Sequence, residues 1–191
     1  MRFDPVKKVI LFGGSLTLVG LAEWLITKNI EVLIYTSPRH AREILTENKL
    51  TLSQLLKSKR IKYTITNNIN KDKSIFKVVN NKTLGIGIGE AWSFDQKIIK
   101  LFSGKLLDFM GIPLPRYRGG AHYTWMIMSG ERKNGVRLQI INKDMVQGKF
   151  DSGKIVYSLD YLMSKNELLP IHFFKREVKE GLKVLKIFLE K

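Results

Sequence analysis

The chain contains no cysteine among its 191 residues. That absence excludes disulfide bonds, zinc sites built on thiolates and cysteine nucleophiles. We expect no metal site from the remaining residues. A chain without cysteine also fits the reducing cytoplasm, which is the location we predict.

Long apolar runs are equally absent. No run approaches the ~18 residues that would indicate a membrane-spanning helix. Residues 1–8 lead directly into a short strand-like segment, without the apolar core of a secretory signal. We therefore expect no membrane partner and no cleaved leader.

Acidic residues are scarce, with 17 Asp and Glu against 33 Lys and Arg, for a formal net charge of +16. This excess favours a polyanionic partner such as a nucleotide or tRNA, or it is spread over a solvated surface. The basic residues cluster at 57–62 and along 175–186. Aromatic residues do not interleave with these runs as a platform for single-stranded nucleic acid requires.

Strand-like and helix-like segments alternate through the first half of the chain. Strands are predicted at 8–12, 31–36, 62–66, 84–88 and 105–110, and the main helices between them at 16–28, 50–57 and 94–102. The alternation predicts an α/β fold with a Rossmann-like, doubly wound, mostly parallel sheet. Strands predicted at 135–141 and 155–159 form an antiparallel extension, and an amphipathic helix closes the chain from residue 172. We interpret 1–191 as a single domain.

Two loops follow strands at places where open α/β sheets bind ligands. Gly13, Gly14 and Ser15 follow the first strand and either hold a phosphate at a helix N-terminus or form a tight strand-to-helix turn. Pro113 and Pro115 keep the second loop extended. It continues through Arg118, Gly119 and Gly120, where glycine permits positive φ or close approach of a ligand.

A third motif, Asp151-Ser152-Gly153, precedes the last predicted strand. By itself it predicts a turn with a side-chain cap. It gains functional meaning only if the fold brings it beside residues 108–122.

Together these motifs resemble the catalytic domain of the formyltransferases that use N10-formyltetrahydrofolate. Leu114-Pro115, Arg118-Gly119-Gly120 and the nearby Trp125 are most similar to the enzymes that formylate an amino sugar on a nucleotide carrier. In that family the fifth strand ends in Asn-x-His, and an Asp-x-Gly follows later. The Asn and His polarise the formyl oxygen, and the Asp orients the His and helps to remove the amine proton.

Two positions depart from the family pattern. The Asp of Asp-x-Gly corresponds to Asp151, whereas the Asn corresponds to Asp108 and the His to Met110. An ionised Asp108 would repel a developing oxyanion, and Met110 neither donates a proton nor titrates.

Three interpretations of this departure stay open. Asp108 and Asp151 share a proton, so that a neutral Asp108 replaces the Asn as a donor. Alternatively, His122 supplies the missing imidazole and completes a catalytic set of Asp108, Asp151 and His122. In the third interpretation the site binds folate or a nucleotide without chemistry.

The resemblance also implies where the substrates bind. Main-chain groups around Gly89, Ala91, Trp92 and Gly148 would line the folate pocket. The acceptor would lie near Gly13–Ser15 and the loop from Arg118 to Gly120. We expect the acceptor amine to belong to an amino sugar on a nucleotide, with methionyl-tRNA or another amine as the alternative, and we count a homodimer among the expected partners.

Overall fold

The computed structural model describes residues 6–119, 121–149 and 151–190. Within these residues seven strands form one sheet in the order β3-β2-β1-β4-β5-β6-β7. The strands are β1 (Lys8–Gly13), β2 (Glu31–Thr36), β3 (Tyr63–Ile65), β4 (Thr83–Ile88), β5 (Leu106–Met110), β6 (Lys133–Ile140) and β7 (Ile155–Leu162). The first five strands are parallel, and β6 is antiparallel to both of its neighbours, β5 and β7, which confirms the predicted fold class.

Eight α-helices connect and cover these strands in the described ranges. They are α1 (Leu16–Thr27), α2 (Pro38–Ala41), α3 (Leu52–Ser58), α4 (Ile75–Val78), α5 (Gln96–Leu101), α6 (His122–Met128), α7 (Lys143–Val146) and α8 (Pro170–Leu189). The short α7 was not predicted, because a four-residue helix shows no apolar periodicity. It forms because the Asn142 side chain accepts from two backbone N–H groups, those of Asp144 and Met145. No helix in the described part of the chain is long and apolar enough to cross a bilayer.

Both faces of the sheet are covered, as a parallel sheet requires. On β1, Val9 and Leu11 pack in a cluster with α1 and α8. Ile10 and Phe12 point to the opposite face, where the Phe12 ring lies 5.0 Å from that of Phe94. Because side chains alternate along a strand, one apolar run supplies both cores.

Register brings the carboxyl ends of the central strands together. Gly13 at the end of β1 is paired with Ile88 of β4, and Gly87 of β4 is paired with Asp108 of β5. On the other side of β5, Asp108 is paired with Gln139 of the antiparallel β6. Strand order reverses between β1 and β4, which is where open α/β sheets form a ligand crevice.

Gly13 allows the loops after β1 and β4 to touch. It has φ of +122°, and a Cβ atom there would lie 2.2 Å from the Ile88 carbonyl oxygen. Ser15 then caps α1, because its Oγ accepts from the Leu18 N–H at 3.2 Å. Backbone packing therefore requires glycine at position 13. The turn that Gly13 forms directs Gly14 and Ser15 toward the crevice.

We predict that Gly13→Ala lowers the free energy of unfolding by roughly 3 kcal/mol or more, because the added methyl group collides with backbone. Gly104→Ala is the control, since Gly104 also has positive φ (+81°) but has no atom within 4 Å of its Cβ position. The control should lose only about 1 kcal/mol of stability, which is the cost of placing alanine at a positive φ. Denaturant titration of both variants measures the difference. Equal losses would contradict the packing role of Gly13.

Candidate active site

A cavity of about 820 Å³ lies at the carboxyl edge of β1, β4 and β5. Nine of the residues predicted as site residues line it: Gly14, Ser15, Gly89, Ala91, Trp92, Asp108, Gly119, His122 and Asp151. Gly13, Arg118 and Gly148 were also predicted, but they are not among the described residues that line it. Gly120 lies outside the described residues.

Asp108 is buried at the floor of this cavity, with 4% of its surface exposed. Its Oδ2 accepts a hydrogen bond of 2.8 Å from Nε2 of Gln139, which is fully buried. The Gln139 amide has one preferred orientation, because its Oε1 accepts a hydrogen bond from the Gly153 N–H at 3.1 Å and an amide flip would break that bond. A donor of fixed direction therefore faces one oxygen of Asp108.

A third carboxyl, which we did not predict, lies beside Asp108. The Glu90 carboxyl occupies the space above Gly87, and all of its atoms lie 2.6–2.8 Å from where a Gly87 Cβ would be. Because Gly87 and Asp108 are register partners, this places Glu90 next to Asp108, and the two carboxyls are hydrogen bonded. Glu90, Asp108 and Asp151 form what we call the carboxyl cluster.

Burial sets the protonation of the carboxyl cluster. It raises the pKa of Asp108 to about 6; the Gln139 hydrogen bond opposes this rise, and the charge of Asp151 adds to it. Burial also raises the pKa of Glu90 well above its ordinary value, and the charge of Asp108 raises it further. Glu90 is therefore the protonated member of the pair, and its hydroxyl donates to the Asp108 carboxylate.

Asp151 is joined to the loop that follows β5. Its Oδ2 accepts from the Gly119 N–H at 3.1 Å, and its own backbone is left-handed with φ of 55°. The fold thus brings the Asp-Ser-Gly turn beside residues 108–122, which was the condition for giving it functional meaning. Asp151 lines the cavity near the other two carboxyls.

His122 begins α6 and lies in the cavity wall. Its Nε2 is 3.1 Å from the Gly111 carbonyl oxygen. A carbonyl only accepts, so Nε2 carries the proton and Nδ1 is left as an acceptor. Burial lowers the pKa of His122 to about 4, so the ring is neutral at physiological pH. In this arrangement His122 can accept a proton, but it has no free N–H for an oxyanion.

The cavity has a second polar end, formed by α2 and the turn after β1. Arg39 donates to Nε2 of His40 at 2.6 Å, so the proton of the neutral ring is on Nδ1. That Nδ1 is buried and has no hydrogen-bond partner in the described part of the chain. Burial and the neighbouring Arg39 both lower the pKa of His40. Ser15 and Gly14 line the same end.

Helix α8 contributes part of the cavity wall. Glu177 packs so closely on Gly111 that a Cβ there would lie 2.3 Å from its carboxyl carbon, and the Tyr123 hydroxyl donates to the same carboxyl. Phe174 adds an apolar wall. On the far side, the Trp92 indole N–H donates to the Asn67 carbonyl at 2.9 Å, which fixes the ring at the cavity rim.

Comparison with solved structures identifies the same fold in formyltransferases. The sugar 3N-formyltransferase WlaRD, solved with dTDP and 5-N-formyl-THF, superposes with a TM-score of 0.72 at 14% identity, over 98% of this chain and 62% of that one. Phosphoribosylglycinamide formyltransferase from Anaplasma phagocytophilum gives a TM-score of 0.70 at 14% identity, over 98% and 88% of the two chains. Formyltetrahydrofolate deformylase from Pseudomonas putida gives a TM-score of 0.71 at 16% identity, over 99% and 65%.

Among curated proteins, the methionyl-tRNA formyltransferase of Mycoplasma capricolum is similar in sequence, with 31% identity over 97 residues. The match covers 43% of this chain and 31% of the relative, so the chain spans about a third of that protein. No protein-family model matches. The predicted resemblance is confirmed: the chain has the formyltransferase fold.

We predict that Asp108→Asn stabilises the protein at neutral pH. Asp108 has a pKa of about 6 in the folded protein against an ordinary value of 3.8, so the wild type loses stability as pH rises between these values. The variant should gain roughly 1–3 kcal/mol over wild type above pH 6 and nothing below pH 4. Thermal melts across pH should show a gain of about 2–4 °C per kcal/mol. The exposed control Glu23→Gln should show no such pH-dependent gain. If Asp108→Asn gained the same stability at every pH, the claim that burial raises the pKa of Asp108 would be contradicted.

Proposed function

We propose that this protein transfers a formyl group from N10-formyltetrahydrofolate to a primary amine, most simply that of an amino sugar on a nucleotide carrier. The observation that carries the proposal is the carboxyl cluster in a cavity at the strand-order switch of a formyltransferase fold. Desolvated acid and base groups at such an edge suit proton transfer between bound substrates.

The reaction needs one proton to move from the amine to the folate. The amine lone pair attacks the formyl carbon, and the carbonyl electrons move to oxygen. The attacking nitrogen then loses a proton, the bond from the formyl carbon to N10 breaks, and N10 takes up a proton. In our proposal Asp151, fixed by the Gly119 N–H, is positioned to accept the amine proton, and Nδ1 of His122 offers a second acceptor.

The cavity fits a folate-sized ligand. Its volume of about 820 Å³ lies within the range of ligand pockets, ~300–1,000 Å³. Trp92 and Ala91 follow β4, and Met145 of α7 faces them in the lining, so the wall on this side combines apolar surface with accessible main chain. These groups would hold the ring system of the donor with its formyl group toward Asp108.

The opposite end of the cavity favours a phosphate-bearing acceptor. Arg39 is cationic, and the buried His40 Nδ1–H lacks a partner in the described chain. Ser15 lies at the N-terminus of the 12-residue α1, where the helix dipole favours an anion. These donors would suit the phosphates of a sugar nucleotide.

Methionyl-tRNA is a second candidate acceptor, favoured by the net charge of +16 and by the Mycoplasma capricolum relative. A phosphate-binding end does not by itself separate a sugar nucleotide from an aminoacyl-tRNA. A transfer assay with both acceptor classes separates them, since only the true acceptor should consume the formyl donor.

Calorimetric titration with 5-formyltetrahydrofolate tests the donor. We expect micromolar binding by the wild type and by the surface control Glu23→Gln. Trp92→Ala should weaken binding about tenfold or more, because it removes a large fixed apolar ring from the rim. Absence of binding by well-folded wild type would refute the formyl-donor proposal.

A separate variant tests the acceptor end. His40→Ala removes the unpartnered donor and should raise KM for the phosphate-bearing acceptor by about 10–100-fold, the effect expected when one hydrogen bond to a charged group is lost. Folate affinity should stay within twofold of wild type. Equal weakening of both substrates would indicate that His40 maintains the cavity as a whole and would contradict an acceptor subsite.

A further inference from the structure

We propose that Glu90 and Asp108 form a carboxyl dyad that holds a single proton and serves as the combined proton acceptor and donor of formyl transfer. The inference rests on the proposed function and deepens it, because it assigns a catalytic role to Glu90, a residue outside the family pattern. It replaces the sequence-based hypothesis in which Asp108 shares its proton with Asp151.

The first argument is the space above Gly87. A side chain there would occupy the volume that holds the Glu90 carboxyl, since the three carboxyl atoms lie within 2.8 Å of the Cβ position. Gly87 is the neighbour of Asp108 across the β4–β5 register. The missing side chain on one strand thus makes room for a second carboxyl beside the first.

The second argument is the direction of the hydrogen bonds on Asp108. Gln139 donates to Oδ2, and its orientation is fixed by the Gly153 N–H. Glu90 hydrogen bonds to the same carboxyl group. A pair held in this way has one hydroxyl between two carboxyls, because two adjacent carboxylates cannot both ionise at low cost.

The surrounding charges favour one shared proton on the pair. No group of three or more His, Asp or Glu side chains among residues 6–119, 121–149 and 151–190 has the geometry to hold a metal. Asp151 faces the dyad from the turn before β7 and disfavours a second negative charge on it. The other titratable side chains of the cavity lining are Arg39, His40, Glu43, His122, Tyr123 and Glu177.

The dyad balances the reaction with one proton. Asp108, as the carboxylate, accepts the proton that the amine nitrogen loses after its attack on the formyl carbon, and this assignment replaces Asp151 and His122 as the acceptors. Glu90, as the acid, gives its proton to N10 as the bond from carbon to N10 breaks. The proton gained by Asp108 then passes to Glu90 along their hydrogen bond, and the dyad returns to its starting state. Of these two functions, removal of the amine proton is the one that the Asp of Asp-x-Gly supplies in the family pattern.

Carboxyl titration followed by ¹³C NMR tests the dyad without any substrate. In protein labelled at the Asp and Glu carboxyl carbons, wild type should show two resonances that shift together, with the Asp108 step near pH 6 and the pKa of Glu90 well above its ordinary value. Glu90→Gln keeps an amide donor and should leave one step, that of Asp108. In the surface control Glu23→Gln both coupled steps should persist. If Glu90 titrates near its ordinary pKa, or if the Asp108 resonance shows no second step in wild type, the dyad is overturned.

Gly87→Ala provides an independent structural perturbation. Its methyl group should displace the Glu90 carboxyl and return Glu90 toward an ordinary titration, while Glu90 itself stays in the chain. If Gly87→Ala does not fold, the comparison of wild type with Glu90→Gln decides whether the dyad exists. A folded Gly87→Ala protein with the wild-type coupled titration would overturn the geometric argument.

Kinetics separate the dyad from the proposed function. Glu90→Gln should bind 5-formyltetrahydrofolate as wild type does but lower kcat by about 100-fold or more, because it can donate a hydrogen bond but cannot relay a proton. Full turnover by Glu90→Gln would refute the catalytic role of the dyad but would leave the proposed formyl transfer supported. Coupled titration in a protein that binds no folate would instead refute formyl transfer and leave the shared proton intact.

Discussion

The need to satisfy a buried carboxyl at the end of β5 determines much of the architecture around the cavity. Asp108 cannot be left unpaired in a desolvated position without a large cost in free energy. Gln139 meets this need from the antiparallel β6, and Glu90 meets it from the loop after β4. Each partner depends on another backbone feature, the Gly153 N–H for Gln139 and the missing side chain of Gly87 for Glu90.

This dependence connects the two halves of the sheet. The parallel half supplies Gly87 and Asp108 on adjacent strands, and the antiparallel half supplies Gln139 and the turn that carries Asp151. Gln139 contacts Asp108 directly and also holds the Asp-Ser-Gly turn through Gly153. The carboxyl cluster is thus organised by the point where the sheet changes from parallel to antiparallel, and a shift of one residue in either register would disperse it.

The sequence predicted the fold well because the signals of its strands are strong. The apolar runs ending at Phe12 and Ile88 are long enough to indicate buried parallel strands, and the alternation over 135–141 indicates a half-buried antiparallel one. Asp108 and Asp151 could be found because they occupy motif positions. Glu90 could not, since its role depends on the register of two strands and on a glycine three residues earlier. A signal was present in Gly85-Ile86-Gly87, where alternating glycines leave one face of β4 without side chains.

Other features were beyond sequence reasoning for a similar reason. The tautomer of His122 depends on the Gly111 carbonyl, eleven positions earlier in the chain. The unpartnered nitrogen of His40 depends on the position of the neighbouring Arg39. Helix α8 was predicted as an amphipathic cover, but its position against Gly111 also brings Glu177 and Phe174 into the cavity. Hydrogen bonds between segments that are far apart in the chain leave no periodic pattern in the sequence, so sequence analysis does not predict them.

A crystal structure of the protein with 5-formyltetrahydrofolate tests the central claim most directly, namely that the carboxyl cluster is where formyl transfer occurs. The account predicts the formyl group of this ligand, which is carried on N5, at the floor of the cavity beside Asp108, with N10 within hydrogen-bonding range, ~3 Å, of the Glu90 carboxyl or one water away. It also predicts that the hydrogen bonds from Gln139 to Asp108 and from Gly153 to Gln139 stay intact. Folate bound elsewhere on the protein, or bound in the cavity with the formyl group turned away from the cluster, would contradict the account.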